Sequence, residues 1–148
     1  MVDLKPGDIF LTRNLKEEDN RSPGYWNHAA IYLGNGKFAE AQGVPFNQVI
    51  ISDGEEFWDR YPHFLILRWK QDIGQQIVDE AQKFLGSPYR KFASIFLNLK
   101  PGENCVSLVR KTVKRVTGHD PRWRRPDHIL SSDLLSVIYE KGEEHGRR

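Results

Sequence analysis

The amino-acid sequence predicts an α+β fold in which an antiparallel sheet, or a small barrel, comes first and packed helices follow. Two observations support this prediction. Short β-branched and aromatic runs fill the first half of the chain, and apolar residues at helical spacing fill the second. The chain has 148 residues, and no repeat or Pro/Ser-rich linker divides it. We therefore expect a single domain over residues 1–148 with one hydrophobic core.

The predicted strands are short and are separated by turn-forming residues. They are Ile9–Thr12, His28–Leu33, Lys37–Ala41, Val49–Ser52 and Phe64–Trp69. Gly34-Asn35-Gly36 lies between the second and the third strand, a pattern typical of a β-hairpin. Asn14–Gly24 is long and polar and predicts a loop between the first two strands.

Helical spacing of apolar residues predicts two helices, one near residue 80 and the other close to the C-terminus. The first spans Ile77–Leu85 and stops at the glycine that follows. The other carries Leu134, Leu135 and Ile138 and ends near Gly142. Strands before helices in this order favour a sheet that helices cover on one side.

The composition excludes several classes of protein. The net charge of +2 predicts no nucleic-acid partner. No apolar run approaches the length of a membrane helix, and the N-terminal residues lack the pattern of a secretion signal. A single cysteine suits a reducing compartment, so we expect a cytoplasmic protein. The five histidines lack metal-ligand spacing, and we expect neither a metal nor another cofactor.

A third predicted helix opens with the single cysteine, Cys105. Asn104 is the predicted N-cap, and Gly118 marks the C-terminal end. The unpaired N–H groups and the macrodipole at the start of a helix stabilise an anion, and the thiolate is the nucleophilic form of cysteine. Such a nucleophile needs a base, and the base needs an orienting partner. We therefore look for both on the predicted sheet.

The predicted hairpin supplies these two groups. With a three-residue loop, Leu33 pairs with Lys37 and paired residue numbers sum to 70. His28 and Glu40 then share a face as diagonal neighbours, with backbones about 7–8 Å apart. A two-residue loop would place them on opposite faces. Taken singly, His28, Glu40 and Cys105 each have a common structural role, but their joint placement predicts a catalytic triad.

Three segments, PGDIFLTR, NHAAIYLGNGKFAEAQG and ENCVSLVRKTV, carry a family resemblance. They resemble the circularly permuted NlpC-type papain-like proteins, especially the YiiX/YebB-like branch. In that group a His opens the second strand, a polar residue follows on the next strand, and the Cys heads a later helix. His28, Glu40 and Cys105 match these positions. The resemblance covers residues 6–43 and 85–117 well and implies a permuted papain-like fold.

The resemblance implies a cysteine hydrolase, an amidase or peptidase, acting on an amide bond in a peptide or aminoacyl substrate. Cys105 would attack the carbonyl, His28 would move the proton, and Glu40 would orient the imidazole. The Cys105 N–H would contribute to an oxyanion hole. Two alternatives stay open: an acyltransferase or thioesterase that acts on lipid substrates, and a non-catalytic module that binds an amino acid or a peptide.

The same segments are also similar to the lecithin:retinol acyltransferase-like group, which shares the permuted fold. Its members typically have a second His twelve residues after the first, and an NCEHF motif. Here Glu40 stands twelve residues after His28, where that second His would be. Cys105 is followed by Val106-Ser107-Leu108 instead of EHF. Both departures favour the YiiX-like branch.

Further residues are expected around the site. Tyr25 and Trp26, just before the predicted base, and Tyr89 would form substrate walls, although a core role is their alternative. Asn14–Gly24 predicts a lid, with an idle surface loop as the alternative. The seven basic residues within 110–125 predict a solvated surface, the alternative being a docking surface for anionic lipid or an acidic partner.

Overall fold

The computed structural model of the protein describes residues 3–13, 25–43, 46–88 and 104–141. Within these ranges the chain forms six strands and four helices. The strands are β1 (Ile9–Arg13), β2 (His28–Gly34), β3 (Lys37–Gln42), β4 (Gln48–Asp53), β5 (His63–Trp69) and β6 (Leu135–Lys141). The helices are α1 (Gly54–Arg60), α2 (Gly74–Gln82), α3 (Cys105–Thr117) and α4 (Pro126–Leu130).

All six strands belong to one antiparallel sheet. Their order is β4-β3-β2-β1-β5-β6, so β1 and β2 are central and β4 and β6 form the edges. The predicted α+β class and the five predicted strands are confirmed. The described part of the chain forms an open sheet rather than a small barrel.

The sheet separates two apolar layers, because successive residues of a strand point to opposite sides. On one side, the helical face, α2 and α3 pack against mainly aliphatic residues. Its strand members include Ile9, Leu11, Ile31, Leu65 and Leu67. On the other side, the aromatic face, α1 covers a cluster of rings. This cluster includes Phe10, Tyr32, Phe38, Phe57, Tyr61 and Phe64.

The hairpin between β2 and β3 reaches the expected register by a different turn. Gly34, not Leu33, pairs with Lys37, so the predicted three-residue loop is wrong. Asn35 and Gly36 have positive φ values of 52° and 72°, which suits a two-residue hairpin turn. An irregularity at Leu33, between Tyr32 and Gly34, adds one residue to β2. On the side away from the turn, the numbers of paired residues sum to 70, as expected, as in the pair of Tyr32 with Phe38.

The predicted helix at Leu134, Leu135 and Ile138 is wrong, because this segment forms strand β6. Leu135–Lys141 is rich in β-branched and aromatic residues, and it pairs along the outer edge of β5. The short helix that precedes it is α4, which the sequence pattern does not predict. Within the described ranges, no helix has the length and apolar character to span a bilayer.

Helix α1 is a further element that the sequence pattern does not predict. It follows β4 directly and places Phe57 in the aromatic cluster, where its ring stacks on Phe38 with centroids 4.0 Å apart. Trp58 packs its ring against the same cluster. These contacts fix the end of α1, with Arg60 and Tyr61, over β3.

Candidate active site

Local sequence places Cys105 at the first position of α3. Asn104 is the N-cap, and its side-chain oxygen accepts a hydrogen bond from the Ser107 N–H at 2.7 Å. The Ser107 hydroxyl accepts one from the Asn104 N–H at 2.7 Å, which completes a capping box. Gly118, with a φ of 75°, ends the helix in the left-handed region. The predicted start and end of this helix are confirmed.

His28 and Glu40 are brought together at one end of the sheet. His28 is the first residue of β2 and Glu40 lies near the end of the antiparallel strand β3. His28 Nε2 lies 2.8 Å from Glu40 Oε1. The Glu40 side chain is fully buried, whereas the His28 side chain keeps 12% of its surface exposed. His28 is therefore only slightly exposed to solvent.

Cys105 joins this pair from the other layer of the molecule. Its side chain packs against the helical-face core and is partly exposed. Cys105 is close enough to the His28 imidazole to be one of the groups that raise its pKa. Because Nε2 of His28 faces Glu40, Nδ1 is the nitrogen left for Cys105. The imidazole thus connects a thiol on one side with a carboxylate on the other.

The Glu40 carboxylate is held by five side chains. Oε1 accepts hydrogen bonds from Gln42 Nε2 at 2.6 Å and from the Tyr61 hydroxyl at 3.2 Å, in addition to its contact with His28. Oε2 accepts hydrogen bonds from the Ser52 hydroxyl and from Arg60 Nη2, the latter at 3.1 Å. Such a set of donors favours the ionised carboxylate.

These contacts shift the pKa values of the buried pair in opposite directions. Burial by itself lowers the pKa of His28, but hydrogen bonds with Cys105 and Glu40, and the charges of both, outweigh it and raise the pKa to about 10. Burial by itself raises the pKa of Glu40, but His28, Ser52 and Arg60 lower it to about 2. At neutral pH the pair is therefore an imidazolium and a carboxylate.

Tyr61 and Arg60 are among the residues around the site that sequence reasoning misses, as are Gln42 and Ser52. The Tyr61 ring is stacked on the His28 imidazole, with centroids 4.9 Å apart and planes 18° apart. Arg60 forms an ion pair with Glu40. Both residues reach the site because α1 folds back over β3, and no motif or spacing in the sequence indicates this contact.

The aromatic residues expected as substrate walls have different positions. Trp26 is 1% exposed and belongs to the helical-face core rather than to an open wall. Tyr25 is partly buried, and its ring lies edge-on to Trp26 and 4.5 Å from the guanidinium of Arg13. Asp127 of α4 accepts hydrogen bonds from the backbone N–H groups of both Tyr25 and Trp26. Tyr89 lies outside the described residues.

The other two expectations concern the loop and the basic segment. Asn14–Gly24, the expected lid, lies outside the described residues. In the basic segment, Arg110 forms a two-pronged ion pair with Asp120. Arg115 lies 4.6 Å from the ring of Phe84. At least two of the basic side chains within 110–125 therefore interact with other residues of this chain.

The donor set at the site does not suit a metal ion. His28 Nε2 and Glu40 Oε1 form a hydrogen bond with each other, and both carboxylate oxygens accept further hydrogen bonds from side chains. To bind one metal ion together, the imidazole nitrogen and the carboxylate oxygen would each need to direct a lone pair at the metal instead of at this contact. In the parts of the chain that the structure describes, no three His, Cys, Asp or Glu side chains are grouped so as to hold a metal.

Comparison with known proteins identifies a similar fold. No family model matches the chain, and no curated protein matches it. Among solved structures, the chain is similar to YiiX from Escherichia coli O157:H7, which is described as a metalloprotein and carries the domain label DUF1105. The TM-score is 0.69 at 14% sequence identity, and the match covers 93% of this chain and 97% of that chain. At this identity the likeness shows the fold, and the chain therefore has a YiiX-like fold.

Proposed function

We propose that this protein is a cysteine-dependent hydrolase of the permuted papain-like type, an amidase or peptidase acting on a peptide or aminoacyl substrate. The observation that carries the proposal is the position of the His28 imidazole, which lies 2.8 Å from Glu40 and interacts with the Cys105 thiol at the start of α3. A nucleophile, a base and an orienting group within hydrogen-bond reach are the parts that nucleophilic catalysis requires.

The first half of the proposed reaction forms a thioester. The Cys105 thiolate attacks the carbonyl carbon of the amide, and a C–S bond forms. The C–N bond then breaks while the His28 imidazolium donates its proton to the leaving amine. The amine departs, and the acyl group stays on Cys105 with His28 neutral.

The second half releases the acid and restores the site. Neutral His28 takes a proton from a water molecule whose oxygen attacks the thioester carbonyl. The C–S bond breaks, the carboxylic acid leaves, and Cys105 is again a thiolate beside an imidazolium. Glu40 stays ionised throughout and stabilises the imidazolium, which is the role of the carboxylate in such triads.

Charge on the carbonyl oxygen is stabilised at the start of α3. The N–H groups in the first turn of a helix have no partner within the helix, and the helix dipole is positive at this end. The Cys105 N–H is in this first turn. It therefore serves as one oxyanion donor in the proposed mechanism.

The proposal does not use a metal ion. E. coli YiiX is described as a metalloprotein, and its likeness to this chain is one of fold. In this chain Nε2 of His28 donates a hydrogen bond to Glu40 Oε1, and both carboxylate oxygens of Glu40 accept further hydrogen bonds from side chains. Proton transfer through His28 accounts for the chemistry with the residues present.

The test is the rate at which iodoacetamide alkylates Cys105 at neutral pH. We expect rapid labelling of the native protein and at least tenfold slower labelling of His28→Ala, because the imidazolium no longer stabilises the thiolate. His119→Ala, which removes an exposed histidine, is the matched control and should label like the parent. Equal labelling of His28→Ala and the parent would contradict the proposal.

Turnover assays then separate this function from the two alternatives. Cleavage of aminoacyl amides supports the amidase or peptidase. Hydrolysis of short acyl thioesters without amide cleavage would instead support the acyltransferase or thioesterase. Binding of amino acids or peptides with no turnover, and with slow labelling of Cys105, would support the non-catalytic module.

A further inference from the structure

We propose that Arg60 and Tyr61, at the end of α1, are positioning residues that act on Cys105 through His28 and Glu40. The inference rests on the proposed function and adds a helix from the aromatic face to the site. Neither residue transfers a proton or forms a covalent bond in the proposed mechanism. Each instead contacts a group that orients or charges the proposed base.

Tyr61 contacts both members of the His28–Glu40 pair. Its ring lies nearly parallel to the imidazole, and its hydroxyl lies 3.2 Å from Glu40 Oε1. The same hydroxyl accepts a hydrogen bond from Gln42 Nε2 at 2.7 Å. Tyr61 is 2% exposed, so its ring also excludes water from one side of the imidazole. These contacts keep the imidazole plane aligned with Glu40 on one side and Cys105 on the other.

Arg60 contacts the other oxygen of the carboxylate. Its Nη2 lies 3.1 Å from Glu40 Oε2 and 2.9 Å from the Ser52 hydroxyl, which donates to the same Oε2. The guanidinium keeps access to solvent, with 27% of the side chain exposed, so its charge carries a moderate desolvation cost. Arg60 thereby offsets part of the Glu40 charge that holds the imidazolium.

The anchoring of α1 does not depend on these two polar groups. Phe57 and Trp58 pack the helix onto the sheet through their rings. Arg60 and Tyr61 instead direct their polar atoms at Glu40. Positive, negative and positive groups therefore alternate from Arg60 through Glu40 to the His28 imidazolium.

The test measures alkylation of Cys105 as a function of pH on the full chain. Among the described residues, the charged and titratable groups that face His28 are Glu40 from β3, Cys105 from α3 and Tyr61, which follows α1, with Arg60 acting through Glu40. The pH at which the rate changes on the alkaline side reports loss of the imidazolium proton.

The two positioning residues have opposite expected effects on this profile. Arg60→Met should move the alkaline change to higher pH, because Glu40 then holds the imidazolium without an opposing cation. Tyr61→Leu should move it to lower pH and slow labelling at neutral pH by about tenfold, because water reaches the imidazole and the pair loosens. Tyr61→Phe keeps the stacked ring and should retain most of the rate.

Trp58→Phe is the matched control, since Trp58 lies on the same helix and packs on the rings around it. It should give the parent profile. An alkaline change that stays put or moves down in Arg60→Met overturns the inference, even if Tyr61→Leu fails to fold. Equal shifts in Arg60→Met and Tyr61→Leu overturn it as well. If His28→Ala labels like the parent, the proposed function itself fails, which is a separate outcome.

Discussion

The two faces of the sheet are built from different kinds of side chain. The helical face consists mainly of aliphatic side chains from the strands, α2 and α3. The aromatic face combines rings with a fully buried carboxylate, Glu40. Five side chains engage that carboxylate: His28, Gln42, Ser52, Arg60 and Tyr61. Apolar packing tolerates many substitutions of similar volume, whereas a hydrogen-bonded charge tolerates few.

This difference separates stability from chemistry. Aliphatic burial on the helical face stabilises the fold without requiring a particular direction for any one side chain. A buried charge is weak evidence for stability, because its desolvation offsets its interactions. The network around Glu40 therefore makes better sense as a means of fixing His28 than as a source of folding energy.

The largest expected effect on stability comes from a substitution on the helical face. Leu67 is 1% exposed and lies between Ile9 of β1 and Val137 of β6. Leu67→Ala should lower the free energy of unfolding by about 2–5 kcal/mol, measured by denaturant titration, because it removes apolar contacts and leaves a cavity. Labelling of Cys105 in the folded protein should stay near the parent rate. A large loss of labelling would show that the two faces are coupled.

An intermediate effect on the free energy of unfolding is expected from the charge of Glu40 on the aromatic face. The pKa of Glu40 is lowered from 4.5 to about 2, so its contribution to stability is complete above pH 4.5 and is lost as the pH falls towards 2. Glu40→Gln should remove this part of the acid dependence, on the order of 3 kcal/mol. Denaturant titrations of parent and variant between pH 2 and pH 7 measure the difference.

Asp120→Asn is the matched control for this titration. Asp120 also has a lowered pKa, because of its hydrogen bonds with Arg110, but it is partly exposed. We expect its removal to change the acid dependence less, since solvent screens the pair. Only Glu40→Gln should also slow the labelling of Cys105. Parallel stability curves for Glu40→Gln and the parent across this range would refute the assignment of the buried charge.

Local patterns predict much of the site. Asn104 and Gly118 bracket α3 because a capping side chain and a left-handed glycine act within one turn of the chain. The hairpin prediction places His28 and Glu40 on one face although its turn is wrong. The irregularity at Leu33 adds the residue that the shorter turn leaves out. The face to which a side chain points depends on the number of residues between paired positions. A three-residue loop gives the same number as a two-residue turn with one extra residue in the strand.

The remaining features depend on tertiary contacts that local patterns do not encode. The spacing of Leu134, Leu135 and Ile138 suits a helix as well as a strand, and the open edge of β5 decides for the strand. The seven residues of α1 are too few to establish a helical period. Arg60 and Tyr61 therefore reach Glu40 through a packing arrangement that only the folded chain reveals.

The smallest expected effect concerns the point where the two faces meet. Asn104 holds the first turn of α3 through its reciprocal bonds with Ser107, and Cys105 is the next residue. Asn104→Ala should lower the free energy of unfolding by about 1 kcal/mol, and Asn104→Ser by less, because serine keeps a capping oxygen. Fraying of the first turn also separates Cys105 from His28 part of the time. We therefore expect slower labelling with iodoacetamide alongside the loss of stability.

A substitution at the opposite end of the same helix separates these two consequences. Gly118 has a φ of 75°, so Gly118→Ala introduces a strained residue at a cost of about 1–2 kcal/mol. Gly118 follows the last residue of α3, thirteen residues after Cys105, so the substitution should leave the placement of Cys105 beside His28 intact. Its labelling rate should equal that of the parent despite the lower stability. If Gly118→Ala slows labelling as much as Asn104→Ala, the capping box supports the helix as a whole and has no specific part in placing the thiol.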